Sequence, residues 1–159
     1  MNPCKCGFLG DASRRCRCSS TEITRYLGKL SGPLLDRIDL HIDVPSVPFE
    51  ALTRAPSGET SMQIRARVLK AQAWRRKRGQ VRTNAQLSSK ELRTYCDVTP
   101  EALELLKTAM RELTWSARSY TKILKLARTI ADLAESAQLL PDHLAEAIQY
   151  RSLDRQWWG

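Results

Sequence analysis

Residues 116–133 read SARSYTKILKLARTIADL. Within them Tyr120, Ile123, Leu124, Ala127, Ile130, Ala131 and Leu133 recur at steps of three and four residues, the spacing that gathers side chains on one face of an α-helix. Ser116 stands in front of the run as an N-cap, its side-chain oxygen available to the first-turn amides. So continuous an apolar stripe has to be covered, and the flanking chain offers partners. Thr99-Pro100-Glu101 combines a cap, a first-position proline and a first-turn acid, which predicts a helix through about Leu113. Pro141 opens a last helix that turns Leu144, Ala147 and Ile148 inward. Upstream, Ile64, Val68, Leu69 and Ala71 fall near one stripe, which predicts a basic amphipathic helix over 60–78. The reading is a bundle of four or five helices.

The first third of the chain is built differently. Residues 1–20 are loop-like, rich in Cys, Gly, Ser and Arg, and Thr21 is the expected cap of a short helix ending at Leu27 before Gly28. IDLHIDV, Ile38 to Val44, alternates apolar and polar residues, the pattern of a half-buried strand. Pro45 and Pro48 stop it, and the stretch to Gly58 reads as a linker. The very end carries Trp157 and Trp158, expected either to pack back on the bundle or to form an exposed partner patch.

With 42% hydrophobic residues the 159-residue chain has enough apolar material for a core. It contains neither a run of membrane-spanning length nor a signal-peptide h-region, so the expected location is the cytoplasm, away from membranes. Its formal charge of +9 is unevenly spread. Between Ser61 and Arg93 ten basic residues face a single acid, Glu91, so the remainder of the chain is close to neutral. Arg65, Arg75, Arg76, Lys77, Arg78 and Arg82 are the candidates for phosphate-backbone contacts, with a solvated helix face as the plain alternative.

Cys4, Cys6, Cys16 and Cys18 form two Cys-x-Cys pairs nine residues apart. Reduced thiols this close in a cytoplasmic chain more often hold metal than form disulfides. Four thiolates can enclose a tetrahedral Zn²⁺ and leave no position open for substrate, so the metal would be structural. Free thiols, a redox pair and an iron-sulfur cluster remain as alternatives. Cys96, alone in a helical region, reads as a small buried hydrophobe.

Several segments, taken in order, carry a family resemblance: MNPCKCGFLGD, CRC, RYLGKLSGPLLDRIDLHIDVP, SARSYTKILKLARTIADL and HLAEAIQYRSLDR. Together they strongly resemble the C-terminal half of magnesium-chelatase-like AAA+ ATPases of the bacterial competence protein ComM/YifB group, across nearly the whole chain. The resemblance implies a mainly α fold: residues 1–57 as the C-terminal remnant of an AAA+ α/β core with a Cys-rich loop, then 58–159 as a helical-bundle lid. It also implies an ATP- and Mg²⁺-dependent homo-hexameric motor that acts on DNA as a branch-migrating helicase in natural transformation. By motif, Asn2 in MNP matches a sensor-1 asparagine that orients the attacking water. Arg37 in LLDRID matches an arginine finger reaching a neighbouring subunit's nucleotide, and Arg118 in SAR matches a sensor-2 arginine at the start of a lid helix.

The sequence departs from that family at one decisive place. No G-x-x-x-x-G-K-[ST] occurs among its seven scattered glycines, and no apolar strand ending in paired acids precedes Asn2. The chain alone is therefore expected to be inactive, either a cloned fragment or the product of a truncated reading frame. Lys5 also stands where the family usually has proline between the first two cysteines. The competing reading is a zinc-stabilised basic module that binds DNA without ATP. A porphyrin-metallating chelatase subunit follows from the family name only.

Overall fold

The computed structural model describes residues 1–11, 14–35, 37–44, 47, 49, 53 and 58–151. Two short helices, α1 (Ser20–Leu27) and α2 (Gly32–Leu35), precede five further helices among the described residues. These are α3 (Ser61–Lys77), α4 (Ser89–Tyr95), α5 (Pro100–Glu112), α6 (Ala117–Leu133) and α7 (Pro141–Gln149), with one 3₁₀ turn at Asn84–Gln86. The chain is mainly helical, as its periodicity implies.

Local chemistry sets the helix starts. Ser19, Thr60 and Ser88 each accept from the amide three residues on, while Glu22, Gln63 and Glu91 reach back to the cap amide, a reciprocal capping box. Thr99 and Ser116 cap α5 and α6 as the sequence predicts. At α1 the cap is Ser19 rather than Thr21, because only Ser19 has an acid at the right offset. Three helices end alike. Gly79, Thr114 and Glu135 take φ of +78°, +47° and +54° just past α3, α5 and α6. The next residue's amide then reaches back to Arg75, Met110 and Ala131 respectively, closing the last turn.

The apolar stripe of α6 is the centre of the molecule. Ile123, Leu124, Ala127, Ile130 and Ala131 are buried with Leu106 of α5, Leu144 and Ala147 of α7, Leu92 and Cys96 at α4, and Leu87. Alanines at 127 and 131 let the neighbouring helices approach closely, and each fully buried Leu or Ile contributes about 1.5–3 kcal/mol. A backbone seam holds two helix entrances together: Leu139 N donates to Asp97 O at 2.7 Å and Thr99 N to Leu139 O at 3.2 Å.

Beside this core sits a polar knot. Asp132, near the end of α6, accepts from Arg78 at 2.6 and 3.2 Å, from Arg128 Nε at 3.1 Å and from Asn84 Nδ2 at 2.8 Å. Arg128 is fully buried and spends its other donors on the carbonyls of Ser136 and Ala137. The knot, the Trp74 indole on Ser136 O at 3.4 Å and the Lys70–Glu135 ion pair fix the C-terminal half of α3 to the end of α6.

Two further expectations are corrected. The helix expected over 60–78 forms, but it is not amphipathic. Arginines at 65 and 75 interrupt its apolar stripe, and all of residues 61–70 are exposed, Ile64, Val68 and Leu69 included. The strand expected at Ile38–Val44 does not form. Residues 37–44 run without strand structure, and a strand needs a neighbour to take its amides and carbonyls. What holds them is the bundle: His41 N donates to Tyr150 O at 2.8 Å, and the buried Arg151 guanidinium donates to Ile38 O at 3.1 Å. Pro45, Pro48, Trp157 and Trp158 lie outside the described residues.

Candidate phosphate groove and cysteine centre

The ladder of contacts between residues 37–42 and the bundle brings two sequence-distant arginines together. Arg37 and Arg118 line one open groove of about 590 Å³, with Ala117, Thr121, Lys122 and Lys125. Arg37 is oriented by a bond from its Nη1 to Pro33 O at 3.0 Å, across the turn that ends α2. Arg118 occupies the exposed first turn of α6. On the neighbouring wall Lys122 pairs with Asp39 at 2.6 Å. Four cationic side chains around one concavity can hold a compact polyanion and would repel a cation. Lys122 and Lys125 escape motif reasoning. Their signal was their spacing of four and seven residues from Arg118, which puts all three on one helix face.

Asn2 is not part of that groove's lining. It is exposed beside the cysteine loop, where a Cβ on Gly7 would meet its Nδ2 at 3.5 Å.

The loop brings all four predicted cysteines together. Their sulfur atoms lie within 4.8 Å of one another, with Cys4–Cys6, Cys4–Cys16 and Cys6–Cys16 at 3.4, 3.7 and 3.6 Å. Four sulfurs at about 2.3 Å from one Zn²⁺ stand about 3.8 Å apart, so the donor set fits. The Gly7 amide closes a turn onto Cys4 O at 3.1 Å, and Gly7 and Gly10, at φ of +85° and +80°, turn the backbone between the two pairs. Backbone amides point at the sulfurs. Those of Arg17 and then Phe8 bring the Cys6 thiol down to about 6. At Cys16 the Cys18 amide pulls the other way, but burial and the neighbouring thiols prevail and push it up to about 12. Some of these sulfurs are thus readied as thiolates while their neighbours keep protons, and a divalent cation removes the conflict. Lys5 points outward, 4.0 Å from Glu22. Cys96 is buried, and burial raises its thiol to about 11, so it is unreactive.

The basic residues separate into two groups. Arg65, Arg76, Lys77 and Arg82 are exposed and Arg75 is half-buried. Arg78 is instead bound to Asp132 and Gln80 with its side chain 18% exposed, which makes it a tie between helices.

Comparisons with known proteins match the chain in two parts. The family described as magnesium chelatase, subunit ChlI C-terminal, matches residues 58–151, and the one described as magnesium chelatase, subunit ChlI, matches 1–52. The chain belongs to this magnesium-chelatase ChlI family, in its ComM/YifB branch. Competence protein ComM of Haemophilus influenzae is 42% identical over 156 residues, which cover 98% of this chain and 30% of the relative. YifB of Salmonella typhimurium and YifB of Escherichia coli are each 38% identical over 157 residues, again 98% and 30%. The chain spans about 30% of the length of these curated relatives. Among the described residues no helix is long and apolar enough to cross a membrane.

Proposed function

We propose that this chain is the C-terminal, lid-bearing portion of an ATP-driven AAA+ motor that remodels DNA, with branch migration during natural transformation as its setting. Residues 1–57 belong to the motor core and 58–159 to the lid, a division supported by the two family matches meeting between 52 and 58. The observation that carries the reading is the convergence of Arg37 and Arg118 on one groove from segments 81 residues apart. There Arg37 acts as the arginine finger towards a neighbouring subunit of a homo-hexamer, and Arg118 reads phosphate at the start of a lid helix. Asn2, beside the cysteine loop, orients water at the γ-phosphate. ATP and Mg²⁺ act in the longer protein, Zn²⁺ staples Cys4, Cys6, Cys16 and Cys18, and DNA meets the exposed cations of α3.

The test is ATP turnover by the longer protein that includes an upstream phosphate-binding loop. Arg37→Ala is expected to lower kcat by about 10³-fold or more, as loss of an arginine finger does. Turnover unchanged in Arg37→Ala refutes the assignment.

One observation favours a second reading, a zinc-stabilised module binding DNA without ATP: the basic first half of α3 is exposed on every side. Under it, the isolated chain binds duplex DNA well at physiological salt.

A further inference from the structure

Arg37 and Arg118 share their groove with two lysines that no motif assigns. Arg118, Lys122 and Lys125 rise along one face of α6, covering about 10 Å of helix axis. Lys122 is 17% exposed, and its ammonium is 2.6 Å from Asp39, two residues after Arg37. Lys125 gives one N–H to the Ala85 carbonyl at 2.9 Å, and an ammonium has three to give.

We infer that Lys122 and Lys125 are direct phosphate-binding residues of this groove, and that Asp39 competes with the phosphate for Lys122. The inference rests on the nucleotide reading of Arg37 and Arg118. A polyphosphate chain concentrates several charges in a short length, which is what four cations around a single concavity of about 590 Å³ accommodate. A nucleic-acid backbone spreads single charges along an extended track, a poorer match to one groove. Asp39 then has a definite role. Its carboxylate holds Lys122 facing the groove, and an arriving phosphate takes its place. The bonds from Arg151 to Ile38 O and from His41 N to Tyr150 O keep the segment beside the bundle through that exchange.

Calorimetric titration of the 159-residue chain with inorganic tripolyphosphate at low salt tests this. Lys125→Ala and Lys122→Gln are each expected to weaken binding about tenfold, as lost charge-assisted bonds do. Asp39→Asn is expected to tighten it about threefold or more by freeing Lys122. Circular dichroism shows whether each variant is folded, and Asp39→Asn at the exposed carboxylate carries the decision if Lys122→Gln is not. A purely structural tie predicts the reverse sign, since breaking it loosens the Arg37 segment. Unchanged or weaker binding by Asp39→Asn therefore overturns the inference. If Arg37→Ala and Arg118→Ala lose tripolyphosphate while both lysine variants bind normally, the inference falls and the nucleotide reading stands. If the wild-type chain binds a dT12 oligonucleotide through these lysines but not tripolyphosphate, the groove serves nucleic acid and the inference is overturned. ATP turnover of the longer protein then decides the parent reading separately.

Discussion

Replacing Asp132 by alanine should unfold the bundle more readily than any single apolar truncation outside its centre. The carboxylate is 4% exposed and faces Arg128, whose side chain is wholly buried, and Arg78, 18% exposed. Removing one member of such a buried cluster strands its partners, at a cost of about 3–5 kcal/mol. Two features hold the estimate to the lower half of that range. Arg128 keeps the carbonyls of Ser136 and Ala137 as acceptors, and Arg78 can turn towards water. Asn84 also loses an acceptor for its Nδ2 but keeps Thr129 Oγ1 at 3.1 Å. A loss of about 3–4 kcal/mol in a domain of this size lowers Tm by roughly 12–30 °C. Helical circular dichroism during heating and in urea measures it. Arg78→Met, which removes only the partly exposed partner, should cost about 1–2 kcal/mol. A loss below about 1 kcal/mol for Asp132→Ala would mean that carbonyls alone satisfy Arg128, and the electrostatic account of the knot would be wrong.

Other outcomes follow from separate features. Burial lowers the pKa of His143, whose Nδ1 accepts the Leu140 amide at 3.1 Å, so the unfolded chain binds its proton first as pH falls. Stability should therefore be full above the ordinary histidine value of 6.5 and decline below it, and His143→Gln should flatten that slope in urea melts at stepped pH. Metal analysis of reduced protein should find one Zn²⁺ per chain, and Cys16→Ser should remove it while the bundle still melts cooperatively. Metal content unchanged in that variant would refute the four-sulfur centre. Neutralising Arg65, Arg76 and Lys77 should reduce the log K against log salt slope for duplex DNA by up to about 2.7, and an unchanged slope would remove α3 from the interface. Thr114→Gly should stabilise by about 1 kcal/mol, because glycine takes φ of +47° without strain.

The legible parts of this fold were those written in local chemistry. Thr99-Pro100-Glu101, Ser116 and Pro141 announce α5, α6 and α7, and the α6 stripe names most of the core. Helix α4 carried an equally local signal, Ser88-x-x-Glu91, but seven residues make too short a period to stand out. The left-handed turns at Thr114 and Glu135 had no glycine to mark them, whereas Gly79 did. Non-local facts were out of reach. The alternation in Ile38–Val44 describes a strand only where another strand lies alongside. Arg78 looks like its neighbours in the basic run, and only Asp132, 54 residues away, makes it structural. Among the candidate site residues, spacing picks out the cysteines and motif picks out Arg37 and Arg118. Lys122 and Lys125 emerge from where α6 faces.

Anchoring α3 at one end has a mechanical result. Its 17 residues make a rod of about 26 Å, tied to α6 between Lys70 and Arg78 and exposed over the nine residues before Lys70. A rotation of the clamp by about 10° swings the far tip by about 4 Å, more than half the rise of a helical turn. The clamp is also the tail of α6, whose head carries Arg118. Small tilts of one rigid helix at its Arg118 end thus become ångström-scale strokes of a positively charged rod at the other.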